Sequence, residues 1–282
     1  MLCGDSLPLF TFPDRFGIMG SAEPGTTEIH LGERALKREN DLGRDPVRSL
    51  VLRVALPSML AQFVSVFYSI VDRMYIGNIP EIGDTALAGV GICGPIVTVV
   101  GAFAFLVGVG GAPLMSIKLG EGDRNAAERI LANCFLMLLV LSAVLTAVSL
   151  LLRENLLMWF GASAVTFPYA DAYITIYLMG TVFALMSSGL NQFIVCQGFA
   201  NDGMRSVMLG AVLNIVLDPV FIFLFDMGVR GAALATVLSQ MASCAFVLLS
   251  LRRKRMPVRL RWGRMELHIV RRVIVSGRSA LS

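Results

Sequence analysis

Two carboxylates fall inside long apolar stretches, Asp72 in "YSIVDRMYIGN" and Asp218 in "NIVLDPVFIF". A carboxylate at the centre of a membrane helix costs about 2.5–3.5 kcal/mol on insertion scales, so one that persists there has a bonding or chemical task. Each has polar company at helical spacing. Tyr68 lies four residues before Asp72, and Asn214 four residues before Asp218, which puts each pair on one helix face. Pro219 has no amide hydrogen for the carbonyl of Ile215, so a backbone acceptor is freed next to Asp218. Such broken turns are tolerated in a membrane where they line a cavity or meet a polar partner. Two neighbouring acids would exchange protons as one coupled unit. With amide and hydroxyl oxygens added, Asp72, Asp218 and Asn214 also suit Na⁺. A structural alternative uses the same residues: Asp72 beside Arg73 at an interface, and Asp218 bonded to Asn214 as glue within a helix.

The elements that must position these residues are membrane helices. The chain has 282 residues, 56% hydrophobic and 16% charged, against roughly 25% charged in a soluble domain. Residues 85–117, 130–152, 172–201 and 231–251 contain no charge at all. A bilayer core takes about 20 apolar residues per helix, and each block meets that length. The expected fold is an all-α polytopic membrane protein with a six-helix transmembrane bundle. Its spans are predicted near 49–77, 86–119, 125–152, 165–199, 204–225 and 229–251, with Asp123 as the N-cap of the third. Residues 1–45 read as a polar, disordered cytoplasmic extension, 46–251 as the bundle, 252–265 as a basic connector, and 266–282 as the start of a seventh helix cut short. Neither a signal peptide nor an internal repeat is evident.

Lys118, Arg124, Arg129, Arg205 and the connector lie in loops on one side, against Arg73, Arg153 and Arg230 on the other. This bias predicts a cytoplasmic N-terminus in the cytoplasmic membrane. Trp159 and Tyr169 then fall at the outer interface and Trp262 at the inner one. The connector "RRKRMPVRLRWGR" reads first as a topology determinant facing anionic lipid, and second as a lipid or partner patch. The basic residues sit between apolar blocks rather than on a polar domain, so nucleic acid is not an expected partner. Four of the five cysteines stand singly in apolar blocks, as packing residues. His30 and His268 lie outside the spans. With no HExxH, GxSxG or P-loop, and no metal-ligand cluster, neither an enzyme nor a cofactor beyond a coupling ion is expected.

"NIVLDPVFIF" resembles the fifth-helix signature of multidrug and toxic compound extrusion (MATE) transporters. "YSIVDRMYIGN" resembles the end of that family's first helix, "KLGEGDRNAAERIL" its loop between helices two and three, and "GVRGAALATVLSQ" the start of its sixth. The resemblance runs from about 46 to 264, in order and at family spacing, and is strongest to the MepA-like bacterial branch. It implies the N-terminal lobe of a twelve-helix transporter, without the C-terminal lobe, that exports small organic cations in exchange for H⁺ or Na⁺. Carried over by position, Asp72 and Asp218 form the ionisable pair. Asn214, Tyr68 and Asn191 supply hydrogen bonds, and Thr236 a hydroxyl. Pro57 and Pro219 mark bends. Gln192 and Gln197 are read as packing hydrogen bonds. A lipid-linked oligosaccharide flippase of the wider superfamily, or a non-transporting fragment or assembly partner, are the alternatives.

Overall fold

The computed structural model describes residues 47–281 except 262 and 264. The extension 1–45, with His30, and Trp262 lie outside the described residues. The rest is helical: α1 (Val47–Gly77), α2 (Gly83–Gly120), α3 (Arg124–Leu151), α4 (Arg153–Trp159), α5 (Phe167–Met179), α6 (Thr181–Cys196), α7 (Ala200–Pro219), α8 (Val229–Arg252) and α9 (Leu267–Leu281). Five of these helices, or six if the bent pair α5–α6 counts as one span, are long and apolar enough to cross a membrane. The chain is thus an all-α polytopic membrane protein.

The spans run close to where hydropathy predicts them, and their ends have local causes. Asp123 stands at the N-cap of α3, where its Oδ1 accepts from the Ala126 amide at 2.9 Å. That bond satisfies one of the unpaired amides of the first turn. Pro57 lies inside α1, which continues through it, and Pro95 and Pro113 lie inside α2. After Pro219 the helix widens into a π-turn, Val220–Leu224. The missing proline amide interrupts the ladder there, and the wider turn absorbs the interruption.

Two features depart from the sequence reading. The fourth span is not one helix: α5 and α6 meet at Gly180 with a bend of 57°. A Cβ on Gly180 would lie 2.5 Å from Cγ2 of Val237, so the missing side chain lets α8 pack against the bend. A short helix, α4, also precedes the fourth span, tied to α5 where Arg153 Nε meets Asp171 Oδ1 at 3.2 Å.

Packing runs from α1 to α7, from α7 to α8, from α8 to α6, and from α6 to α2, which also holds α3 and α9. α1 sits at one edge and leaves Leu56, Met59, Phe63 and Met74 exposed. The core between the other helices is built from Leu138, Leu178, Leu190 and Phe193, with alanines and glycines at close crossings. Such small residues let membrane helices approach closely.

The connector folds back under the bundle. Val258 N–H donates to Gln197 Oε1 at 2.9 Å, while Gln197 Nε2 donates to the Phe193 carbonyl at 2.9 Å. Arg255 pairs with Asp202 and lies over the Phe199 ring, 5.5 Å from its centroid. At the far end, Glu266 N–H donates to Asn133 Oδ1 at 2.6 Å.

Candidate functional site

α1 and α7 pack side by side and bring their acids together. Asp218 is 0% exposed and Asp72 is 9% exposed. The two carboxyls are direct neighbours across the α1–α7 contact. Asp72 Oδ1 and Asp218 Oδ2 are enclosed and receive no hydrogen bond from an N–H or O–H of the described residues. No Asp72–Arg73 ion pair occurs among the described residues, and Arg73 is exposed. An enclosed pair of this kind needs a proton between its members or a cation beside them, because two bare charges in apolar surroundings are costly.

Asn214 links the pair to its neighbours. One turn before Asp218, it is 1% exposed; its Nδ2 donates to Asp218 Oδ1 at 3.1 Å and to Thr236 Oγ1, on α8, at 3.4 Å. Its own Oδ1 is buried without a partner among the described residues. The helical spacing of 214 and 218 makes the first bond, and the tight α7–α8 packing makes the second.

Asn214 and Thr236 also form one end of a cavity of about 140 Å³ between α1, α6, α7 and α8. Tyr68 on α1 lines it beside Ser65, one helical turn before Asp72. Asn191 on α6 lines it too, but its Oδ1 accepts from Ser206 Oγ at 3.3 Å. That bond stitches α6 to α7. Of the six proposed cation-site residues, Asp72 and Asp218 form the acidic pair, and the other four, Asn214, Thr236, Tyr68 and Asn191, line the cavity beside it. Pro219 follows Asp218 directly, and Pro57 lies in α1 four turns before Asp72, outside the cavity lining.

Several residues of this site escaped the sequence reading. Ser187, Ser206, Ser239, Gln240 and Ser243 line the cavity. Ser239 Oγ and Gln240 Oε1 are buried with no partner among the described residues, so they are suited to hold water. The signal was present: 206, 210, 214 and 218 fall on one face of α7, and 236, 239, 240 and 243 on one face of α8. Gly210 fits this file because a Cβ there would overlap Ser243 Oγ. Tyr173 and Tyr177 on α5, stacked with ring centroids 6.2 Å apart, lie behind that lining, next to Thr236 and Gln240. None of the residues lining the cavity is Lys, Arg or His.

A bundle of membrane-length helices enclosing an acidic pair and a hydroxyl-lined cavity defines a polytopic membrane protein with a polar core. The MatE family model matches residues 57–220, and the chain belongs to that family. Among similar curated proteins, the Multidrug export protein MepA of Staphylococcus saprophyticus subsp. saprophyticus is 27% identical over 205 residues, 72% of this chain and 45% of its own length. MepA of Staphylococcus haemolyticus is 28% identical over 204 residues, again 72% and 45%. A crystal structure of MATE in the bent conformation superposes with a TM-score of 0.76 and 26% identity, covering 89% of this chain and 55% of that one. A MOP superfamily transporter from Pyrococcus furiosus, described as having a binding pocket of reverse polarity that suggests a different function, matches at TM-score 0.76 and 26% identity, over 83% and 52%. The chain spans about half the length of the curated relatives it matches.

Proposed function

We propose that this chain is the cation-coupling lobe of an antiporter that exports small organic cations in exchange for H⁺ or Na⁺. The observation that carries this reading is the apposition of Asp72 and Asp218, enclosed and short of donors, with Asn214 bridging Asp218 to Thr236. Such a pair takes up a proton or holds Na⁺ between carboxylate, amide and hydroxyl oxygens, and releases it when the oxygens part. Membership of the MatE family, and the likeness to proteins described as multidrug exporters, support drug efflux as the work done by that exchange. In this reading the protein is a carrier rather than an enzyme. It sits in the cytoplasmic membrane with its N-terminus inside, and the drug pathway runs between this lobe and a second, C-terminal one.

The polarity of the cavity bears on the flippase alternative. A groove that carries anionic lipid-linked saccharides needs basic side chains, and the lining here has none. The test is dye efflux from cells that express the gene. Asp218→Asn should abolish export of a cationic dye while leaving the amount of protein in the membrane unchanged. Undiminished efflux sinks the proposal, and transfer of labelled saccharide-lipid without dye efflux would favour the flippase.

A further inference from the structure

A second cleft lies where the end of α2, the start of α3 and α9 meet. Its volume is about 220 Å³. Its walls carry Lys118, Arg129 and Arg272, and its apolar side is made by Ile117 and Ile269. Lys118 Nζ is held by Glu121 at 2.6 Å. Arg129 and Arg272 have no ion-pair partner among the described residues. Glu266 is the one acid on the lining; its amide is spent on Asn133 and its carboxylate lies 3.6 Å from His268 Nδ1.

The level of these cations is telling. Lys118 directly follows the charge-free run of α2, and Arg129 directly precedes that of α3. Both therefore stand where apolar helix surface gives way to water on one side of the bilayer. Ile117, beside Lys118, is 57% exposed, and Val275 on α9 is 58% exposed. Charge on the rim with bare apolar surface on the membrane side matches an anionic headgroup with its chains attached. A free anion would leave the apolar half of the cleft wet.

We propose that this cleft binds the headgroup of an anionic phospholipid, with Arg129 and Arg272 on the phosphate and an acyl chain along Ile117. The site is independent of the Asp72–Asp218 pair. It also differs from a diffuse attraction of basic loops to the membrane, because the exposed Arg252 and Arg253 of the connector carry equal charge but do not line the cleft.

The experiment measures binding of labelled phosphatidylglycerol to the purified full chain in neutral detergent micelles, against phosphatidylcholine with the same acyl chains. Phosphatidylglycerol should bind more tightly. A basic residue near an anionic lipid surface is worth about fivefold in affinity, so Arg129→Gln/Arg272→Gln should weaken that binding about 25-fold. Arg252→Gln/Arg253→Gln should change it by less than about twofold, since neither residue meets the headgroup. Ala126→Phe fills the cleft and keeps every charge, so it should abolish the preference for phosphatidylglycerol even if the arginine variant folds poorly. Equal binding of the two lipids, equal losses in the two arginine pairs, or an unaffected Ala126→Phe chain would overturn the proposal. So would displacement of the labelled lipid by an equal concentration of glycerol phosphate, which would make this a soluble-phosphate site.

Discussion

Replacing Asn214 by leucine isolates what the amide does for Asp218. The two side chains share the same branching, leucine being somewhat larger, so the α7–α8 contact is disturbed little. In the folded chain the amide is 1% exposed and donates to Asp218 Oδ1 at 3.1 Å and to Thr236 Oγ1 at 3.4 Å. Leucine removes both donations. Asp218 Oδ1 then joins Oδ2, which already receives none from the described residues. A buried acceptor stripped of its donor costs about 1–3 kcal/mol, and the longer Thr236 bond adds little. Asn214→Leu should therefore destabilise the fold by about 2 kcal/mol, a ratio of about 30 in the folding equilibrium. The assay is reversible unfolding in mixed detergent micelles, followed by circular dichroism. The double variant Asn214→Leu/Asp218→Leu removes both partners of the bond, and apolar replacement of both is close to neutral. It should be more stable than Asn214→Leu alone. An Asn214→Leu chain within about 0.5 kcal/mol of the parent, or a double variant whose losses simply add, refutes the reasoning.

Three further outcomes follow from the packing. Gly180→Leu should cost about 1–3 kcal/mol by collision with Val237, and Val237→Ala should restore part of it in the same unfolding assay. Asp123→Ala should cost about 1 kcal/mol through the lost N-cap of α3, while Asp123→Asn keeps most of it. Asp202, 4% exposed, holds Arg255 and Arg205, both partly solvated. Asp202→Asn should loosen the connector by about 1 kcal/mol, read as roughly fivefold faster trypsin cleavage between 252 and 261.

Most of the fold was legible because hydrocarbon is a demanding solvent. Charge-free runs of spanning length leave few alternatives to a helix. Gly180 was not legible as a break, since a single glycine in an apolar run does not by itself mark a bend, and the close approach of Val237 shows only in the fold. The short α4 lacked the length that hydropathy detects. In the site, Asp72, Asp218 and Asn214 stood out because each is expensive where it sits. The serines of α7 and α8 did not, because a hydroxyl can satisfy itself on its own helix and so stays unremarkable in a sequence. Asn191, expected to supply a hydrogen bond to the cation site, lines the cavity, and its Oδ1 accepts from Ser206 across the α6–α7 contact. Docking of the connector depends on Gln197, Asp202 and Asn133, three residues that no local pattern links to residues 255–266.

In the proposed function, Asp72 and Asp218 act as one proton- or cation-exchanging unit inside the bundle. Infrared difference spectroscopy of the purified full chain in lipid, stepped between acidic and alkaline buffer with and without Na⁺, tests it most directly. A carboxylic C=O band should change with the step and be altered or lost in both Asp218→Asn and Asp72→Asn, each variant affecting the shared signal. A difference spectrum that is the same in the parent and in both variants would contradict it.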